Sequence, residues 1–461
     1  MRREHVVWIV LIAIGSAVCW RVAQSAPVKD EDAELYRLFV DVVESVDRSY
    51  VREVDRRKLI EAAINGLLES LDSHSAFITR ENLTRFERET TGKFGGIGVH
   101  IGEKLRPEEF LQVIGPLYGT PAYRAGIIAN DRILKVNGES VKGLSQQDVI
   151  DRISGPPGSE VTLTIQHAPH QNPPVDVKLI REIIKIDTVH GDHRRPDDRW
   201  DFFVGQGSGV AYVRVTGFSQ ETPGDLERTL RQLLTDGMKG LVLDLRYNPG
   251  GLLSSAVEVA DLFIADGQIV LTKGRNTVEK PFEAKQAGTL PSFPMVILVN
   301  EFSASATEIV AACLQDHKRA LVVGERTFGK GSVQNVIELE GGHSAIKLTT
   351  AAYRRPNGKN IHRFPDSRDW GVQPNPGYEI KFAPADHKAY FEWRRERDLL
   401  HGRSADGKPA AQIDKKDAEK PPEKTAAAAS FKDRQLEKAI DYLSEQLKKS
   451  GEKIAQGKPG P

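Results

Sequence analysis

The sequence predicts a multidomain α/β protein: an α/β core carrying an inserted β-rich module, with helical segments at both ends. Three observations predict it. KGLVLDL (239–245), PMVILVN (294–300) and ALVVGE (320–325) are unbroken apolar runs of strand length, and helix-period segments follow the first two. Apolar strands alternating with helices imply a largely parallel sheet covered on both faces. Upstream, residues 94–165 change to short alternating strands and glycine-rich turns. At 461 residues the chain is too long for a single core.

Composition narrows the function classes. Apolar residues make up 39% and charged residues 28%, as in a soluble globular protein, and the 64 basic residues match the 64 acidic ones. No charge excess favours nucleic acid. Of the two cysteines, Cys19 lies in the N-terminal segment and Cys313 in an apolar helical run, so a buried inert thiol and no disulfide are expected. There is no HExxH or paired-cysteine ligand set, so neither metal nor cofactor is expected.

Residues 1–26 read as an export signal or N-terminal anchor. Arg2 and Arg3 precede an apolar run from Val6 to Trp20, then the small-residue stretch Ala23–Ala26. The run is short for a span of about 20 apolar residues. The expected location is the periplasm or another extracytoplasmic part of the cell envelope, as a cleaved or an anchored protein. Residues 27–92 read as helical: Leu35, Leu38, Phe39, Val42, Val43 and Val46 recur at helical spacing, and 59–71 repeats the pattern. These faces suit a neighbouring element or a homodimer contact, which is expected through the terminal helices, N- and C-terminal alike.

The β-rich module is placed at 93–185. FGGIGVHI (94–101) is a glycine-rich loop entering a strand, LQVIGPL a second strand, and GTPAYRAGI a short helix. DRILKVNGES carries an Asn-Gly hairpin turn, LSQQDVIDRI an amphipathic helix, and VTLTI a closing strand. The core is placed at 186–385, with a polar loop at 190–200, and residues 386–461 as a linker ending in an amphipathic helix.

Chemistry gathers after the three apolar strands. Asn248-Pro249-Gly250-Gly251 follows the first, Ser303-Ala304-Ser305-Ala306 the second and Gly329-Lys330-Gly331 the third. Open α/β sheets place ligand sites at the carboxyl ends of their strands. A serine hydroxyl attacks only when a neighbouring base takes its proton, and lysine is such a base only where burial disfavours its charge. The Ala306 and Gly251 amides could receive an oxyanion. If the strand after Lys330 begins early, Gln334 shares its face and can orient it. Each piece has a plainer role: Ser305-x-x-Glu308 is a capping box, and a lysine among glycines is ordinarily solvated. Position alone does not decide between them.

Together the strings decide. DLRYNPGG, NEFSASATEIVAACLQD and VGERTFGKGSVQ resemble the signature blocks of the carboxyl-terminal processing, or tail-specific, proteases, and the 93–185 module resembles a PDZ domain. LDSHSAFI, IKLTTAAYRRPNGKNI and DWGVQPN are similar to further family strings, so the resemblance spans roughly residues 35 to 380. It implies a crotonase-like α/β protease core with an inserted PDZ domain. It implies a serine endopeptidase acting on proteins with free, unstructured, often apolar C-terminal tails. The nucleophile would be Ser305, the base Lys330, its orienting partner Gln334, and the oxyanion hole Gly251 and Ala306. Gly95, Gly96, Ile97, Gly98, Val99 and Ile101 would bind the substrate tail. Tyr247 stands where relatives carry a small polar residue, and Ser154 where they often carry arginine.

Rivals fail on residues. Gly324 through Lys330 resembles a phosphate loop, but Gly331 stands where a hydroxyl must hold magnesium. No G-x-S-x-G elbow surrounds Ser305. A catalytically silent PDZ scaffold remains as the alternative, and Ser305, Lys330 and Gln334 all being present argue against it.

Overall fold

In a computed structural model, residues 30–102, 109–205, 207–275, 278–398 and 431–455 are described. The expected signal segment and residues 399–430 of the expected linker lie outside them. Contacts divide the chain after Thr79 into two compact units. The first holds helices Asp30–Ser49 and Arg56–Glu69 and a short strand β1 (Ala76–Ile78). Asp55 starts the second helix by accepting the Arg57 and Lys58 amides, which that end of the helix leaves unpaired.

The second unit begins with helix Arg80–Thr91 and β2 (Lys93–Gly96), which pairs with β9 (Glu182–Lys185). These antiparallel strands bracket the module. Inside it are β3 (Val99–Ile101), β4 (Leu111–Pro116), β5 (Arg132–Val136), β6 (Glu139–Ser140), β7 (Glu160–Gln166) and β8 (Val175–Ile180). They form one sheet in the order β3-β4-β5-β7-β8, with β6 on β5. The Asn-Gly turn is real: Asn137 and Gly138 have φ of 51° and 82°, which closes β5 onto β6. Ser145 and Asp148 cap helix Gln146–Ile153 reciprocally. Alternate strand residues such as Val161, Leu163 and Ile165 meet Val149 and Ile153 of that helix in a separate core.

The polar stretch read as a loop holds β10 (Val189–His190), β11 (His193–Arg194) and β12 (Trp200–Asp201). β11 and β12 pair as a hairpin, with the Arg194 guanidinium 3.5 Å above the Trp200 ring. Its tip holds the module: the Tyr123 hydroxyl donates to buried Asp198 at 2.8 Å. A guanidinium over a ring and a hydroxyl on a carboxylate do here what apolar periodicity does elsewhere, so no period marks the hairpin.

The main sheet is β10-β13-β14-β17-β18, where β13 is Val210–Val215, β14 Gly240–Asp244, β17 Met295–Val299 and β18 Leu321–Gly324. β13, β14, β17 and β18 run parallel. β14 and β17 are buried throughout, so their sequences are continuous rather than alternating. Leu241 and Leu243 face one core with helices Leu253–Asp261 and Ala306–Asp316. Val242, Val296 and Leu298 face the other, against Leu436, Ala439 and Leu443 of helix Arg434–Ala455. The apolar stripe of the C-terminal helix therefore covers its own sheet. Arg246 anchors its start, bonding Asp244 and Asp433 at 2.6 and 2.7 Å.

β15 (Gln268–Gly274), β16 (Lys280–Glu283), β19 (Ser332–Leu339) and β20 (Ser344–Arg354) form an antiparallel sheet. Residues 332–339 do not extend the parallel sheet: β19 pairs with β20. A hairpin through Glu340–Gly342 brings β20 back beside it, and such local pairing needs no crossover.

Candidate active site

The three turns meet because β14, β17 and β18 are parallel neighbours in register, with Asp244 opposite Leu298 and Val299 opposite Gly324. Buried Asn248 locks the first turn to the second. Its amide donates to Val215 O, its side-chain oxygen accepts from Gly250 N, and its carbonyl accepts from Ala304 N at 3.1 Å and Thr307 Oγ1 at 2.9 Å. Ser303 is wholly buried and spends its hydroxyl on Leu245 O, which makes it a strut of the turn. Ser305 is 6% exposed and heads helix Ala306–Asp316 with φ 57° and ψ −117°. That left-handed backbone is strained for a residue with a Cβ.

Glu308 joins the second turn to the third. Its Oε2 accepts from Ser305 N and from Lys330 N, each at 2.8 Å, so those two nitrogens lie within twice that distance of each other. Oε1 accepts from Gly329 N at 2.7 Å and Thr327 Oγ1 at 2.5 Å. The Glu308 N–H goes to the Ser305 carbonyl at 2.9 Å. Burial pushes the Glu308 carboxyl up to about 6, against the pull of those four donors. The capping box is thus also the clasp of the site.

Gly250 lies against the head of the same helix, and Gly251 against Phe218. A Cβ on Gly250 would fall 2.9 Å from Ser305 Cβ and 3.0 Å from Ala306 N. Phe218 N donates to Gly250 O and Leu252 N to Phe218 O, and the strand contact passes over the Gly251 amide. Ala306 is the first helical residue, where an amide has no intrahelical partner. Gly250→Ala should push Ser305 aside and slow cleavage about 100-fold, as small misplacements do. Initial rates on an unfolded protein, set beside the melting temperature, check this; an unchanged rate in a folded variant would contradict it.

Lys330 is half-buried in the turn before β19. The expectation that Lys330 and Gln334 share a strand face is corrected. β19 starts at Ser332, after the lysine, and a register shift falls between Val333 and Gln334. The Gln334 amide donates to Ser332 Oγ at 2.8 Å and Thr349 Oγ1 at 3.2 Å. Tyr353, buried on β20 and tied to Gly331 O through its own N–H, also reaches the serine. Burial pushes its phenol up to about 12, opposed by a hydrogen bond with the Ser305 side chain. Among the described residues no cluster of His, Cys, Asp and Glu could hold a metal ion.

In the module, Gly95 and Gly96 are strand residues paired with β9, not an open loop. Ile97 is 1% exposed and belongs to the module core. Gly98 turns the chain with φ 74° and its carbonyl accepts from Leu117 N. Val99 and Ile101, half-buried on β3, form the terminal strand of the sheet.

The chain matches Peptidase family S41 over residues 209–375 and a PDZ domain over 114–167. It is 37% identical over 397 residues to a carboxy-terminal-processing protease of Bartonella bacilliformis, covering 83% of this chain and 87% of that protein. The chain belongs to peptidase family S41. A Bacillus subtilis relative, carboxy-terminal processing protease CtpA, is 34% identical over 69% of this chain and 65% of its own length. A solved photosystem II D1 C-terminal processing protease is 29% identical, covering 75% of this chain and 92% of that one, with a TM-score of 0.41.

For an S41 peptidase, the sequence reading passed over Thr327, Gly250 and Tyr353. The Gly-Gly doublet was a signal for Gly250. Tyr353 had none, because only the β19–β20 pairing brings it to the serine turn.

Proposed function

We propose that the chain hydrolyses peptide bonds with Ser305 as nucleophile and Lys330 as general base, near the exposed C-terminal tails of proteins. The observation that carries this reading is the Glu308 carboxylate, which binds the Ser305 and Lys330 amides with a single oxygen. Neutral Lys330 takes the Ser305 proton as Oγ attacks the carbonyl carbon. The Gly251 and Ala306 amides receive the oxyanion. Lys330 then gives the proton to the departing amine, and water, deprotonated by the same lysine, releases the acyl group and restores Ser305. Gln334 steadies the lysine through its side-chain oxygen. The test is cleavage of an unfolded protein by wild type and by Ser305→Ala; equal rates would leave the silent scaffold standing.

Tail recognition is assigned to β3. A strand at the end of its sheet can accept a peptide as an added strand, with the tail carboxylate received at the Gly98 turn. An unfolded substrate with a free apolar terminus should be cleaved faster than its amidated twin, and Val99→Lys should erase the difference while sparing the chemistry. Equal rates for free and amidated tails would remove the assignment.

The core is assigned the crotonase-like form of the family, and the protein to the extracytoplasmic envelope, with export directed by residues 1–26; fractionation of cells checks the location. Helix Asp30–Ser49 exposes Leu35, Leu38 and Val42, the surface we assign to homodimer contact. Sedimentation of Leu38→Glu against wild type tests it.

A further inference from the structure

We propose that a cavity at the carboxyl ends of β13 and β14 binds one compact oxyanion, with Arg214, Tyr390 and Arg394 as its donors. The cavity has a volume of about 360 Å³ and is walled by Arg214, Arg246, Tyr247 and the helix Pro384–Asp398. Tyr247 is shared with the turn that runs on into Gly250 and Gly251, so the cavity adjoins the catalytic edge without containing any residue assigned to catalysis.

Its donors lack acceptors. The Tyr390 hydroxyl, Arg394 Nε and Nη1, and Arg214 Nε are buried without a hydrogen-bond partner. Tyr390 is 1% and Arg394 3% exposed. Buried polar groups are almost always satisfied, and an orphan calls for an explanation. Four orphans around one cavity share a single explanation if an acceptor enters it.

Charge points the same way. Arg246, in the same wall, is matched by two carboxylates, Asp244 and Asp433. Arg214 and Arg394 instead share one: Asp398 accepts from both, at 2.6 Å from Arg394. The neighbouring pairs Arg194–Asp187 and Arg397–Asp192 are one to one. His190 Nδ1 accepts from Arg214 at 3.1 Å and adds no charge, since burial and then Arg214 push its imidazole down to about 3. Across the wall three arginines balance three carboxylates, but the carboxylates are unevenly shared, and the Arg214–Arg394 side has one for two guanidinium groups.

The ligand class follows from the donors. Guanidinium and phenol hydroxyl groups offer N–H and O–H to oxygen, and the planar guanidinium fork fits carboxylate or phosphate. Phe391 and Arg395 line the cavity and are exposed, so it is reached from solvent. Its volume admits a phosphate or the terminal residue of a peptide. A peptide carboxylate as the source rests on the peptidase reading above; the oxyanion site itself does not.

The test uses the full chain carrying Ser305→Ala, so that turnover does not enter the readout. Inorganic phosphate, an acetylated Leu-Ala dipeptide acid and its amide are each titrated calorimetrically. The titrations are repeated with Tyr390→Phe and with Arg394→Lys. At least one oxyanion should bind, and each substitution should weaken it between about tenfold and a hundredfold, as expected for a lost hydrogen bond to a charged group. Binding of the dipeptide acid but not the amide makes a peptide terminus the source; binding of phosphate alone makes it an inorganic anion. Either supports the site. No binding by any probe, or binding indifferent to both substitutions as capture at β3 would be, overturns it. Should Arg394→Lys fail to fold, Tyr390→Phe carries the test, because it deletes one unpartnered oxygen and should not lower the melting temperature of the empty protein. Wild-type cleavage reports on the peptidase reading separately.

Discussion

Ser305→Ala and Lys330→Ala should each lower cleavage of an unfolded protein by about 10⁴-fold or more while the fold stands, because the proposed nucleophile and base act as one unit. The backbone of Ser305 separates catalysis from stability. Alanine keeps the Cβ, and with it the strain of φ 57° and ψ −117°. Glycine removes it. Relief of about 1–3 kcal/mol, less about 1 kcal/mol for the added freedom of the unfolded chain, should leave Ser305→Gly inactive yet more stable than Ser305→Ala. Rates are read beside thermal melts and far-ultraviolet circular dichroism. Cleavage by folded Ser305→Ala at the wild-type rate would remove the serine from the mechanism.

Glu308→Gln should slow cleavage at least about 100-fold with little change in stability. The carboxylate satisfies four donors with two oxygens, and an amide has one acceptor oxygen. Turned one way, its NH₂ opposes the Ser305 and Lys330 amides; turned the other, it opposes Gly329. An unsatisfied buried donor costs about 1–3 kcal/mol. The offset is the burial of the charge. The folded value of about 6 stands above the usual 4.5, so the neutral carboxyl is the form that favours folding. That contribution is fully present below about 4.5 and is lost as pH rises through about 6, amounting to about 2 kcal/mol at neutral pH. Activity runs the opposite way. Protonation turns an acceptor into a donor facing backbone N–H groups, so wild-type cleavage should fall as pH drops through about 6, in addition to any loss from protonating Lys330. The glutamine variant should lose only the limb near 6. A variant that keeps that limb would clear Glu308 of it.

The strands were legible because burial on both faces leaves continuous apolar runs, and β14 and β17 are buried along their whole length. The turn at Asn137-Gly138 was legible because few residues accept φ above zero in succession. The β11–β12 hairpin was not, since a cation over a ring and a hydroxyl–carboxylate hydrogen bond hold it rather than periodic burial.

The sequence by itself determined the family and the parallel run of the core strands, and it put Ser305 and Lys330 forward as the proposed dyad. Each rests on local chemistry: strand-length apolar runs, a helix start and glycine turns at fixed offsets. Only the tertiary structure decided what those turns do to one another. It made a capping glutamate the clasp between Ser305 and Lys330, and it put β19 in a second sheet that brings Tyr353 to the serine. It also laid the C-terminal helix on the chain's own sheet. The reason is physical: a carboxylate at a helix start can satisfy its own cap and a distant loop alike. An amphipathic stripe is likewise indifferent to which apolar surface covers it, until strand pairing sets which surfaces are near.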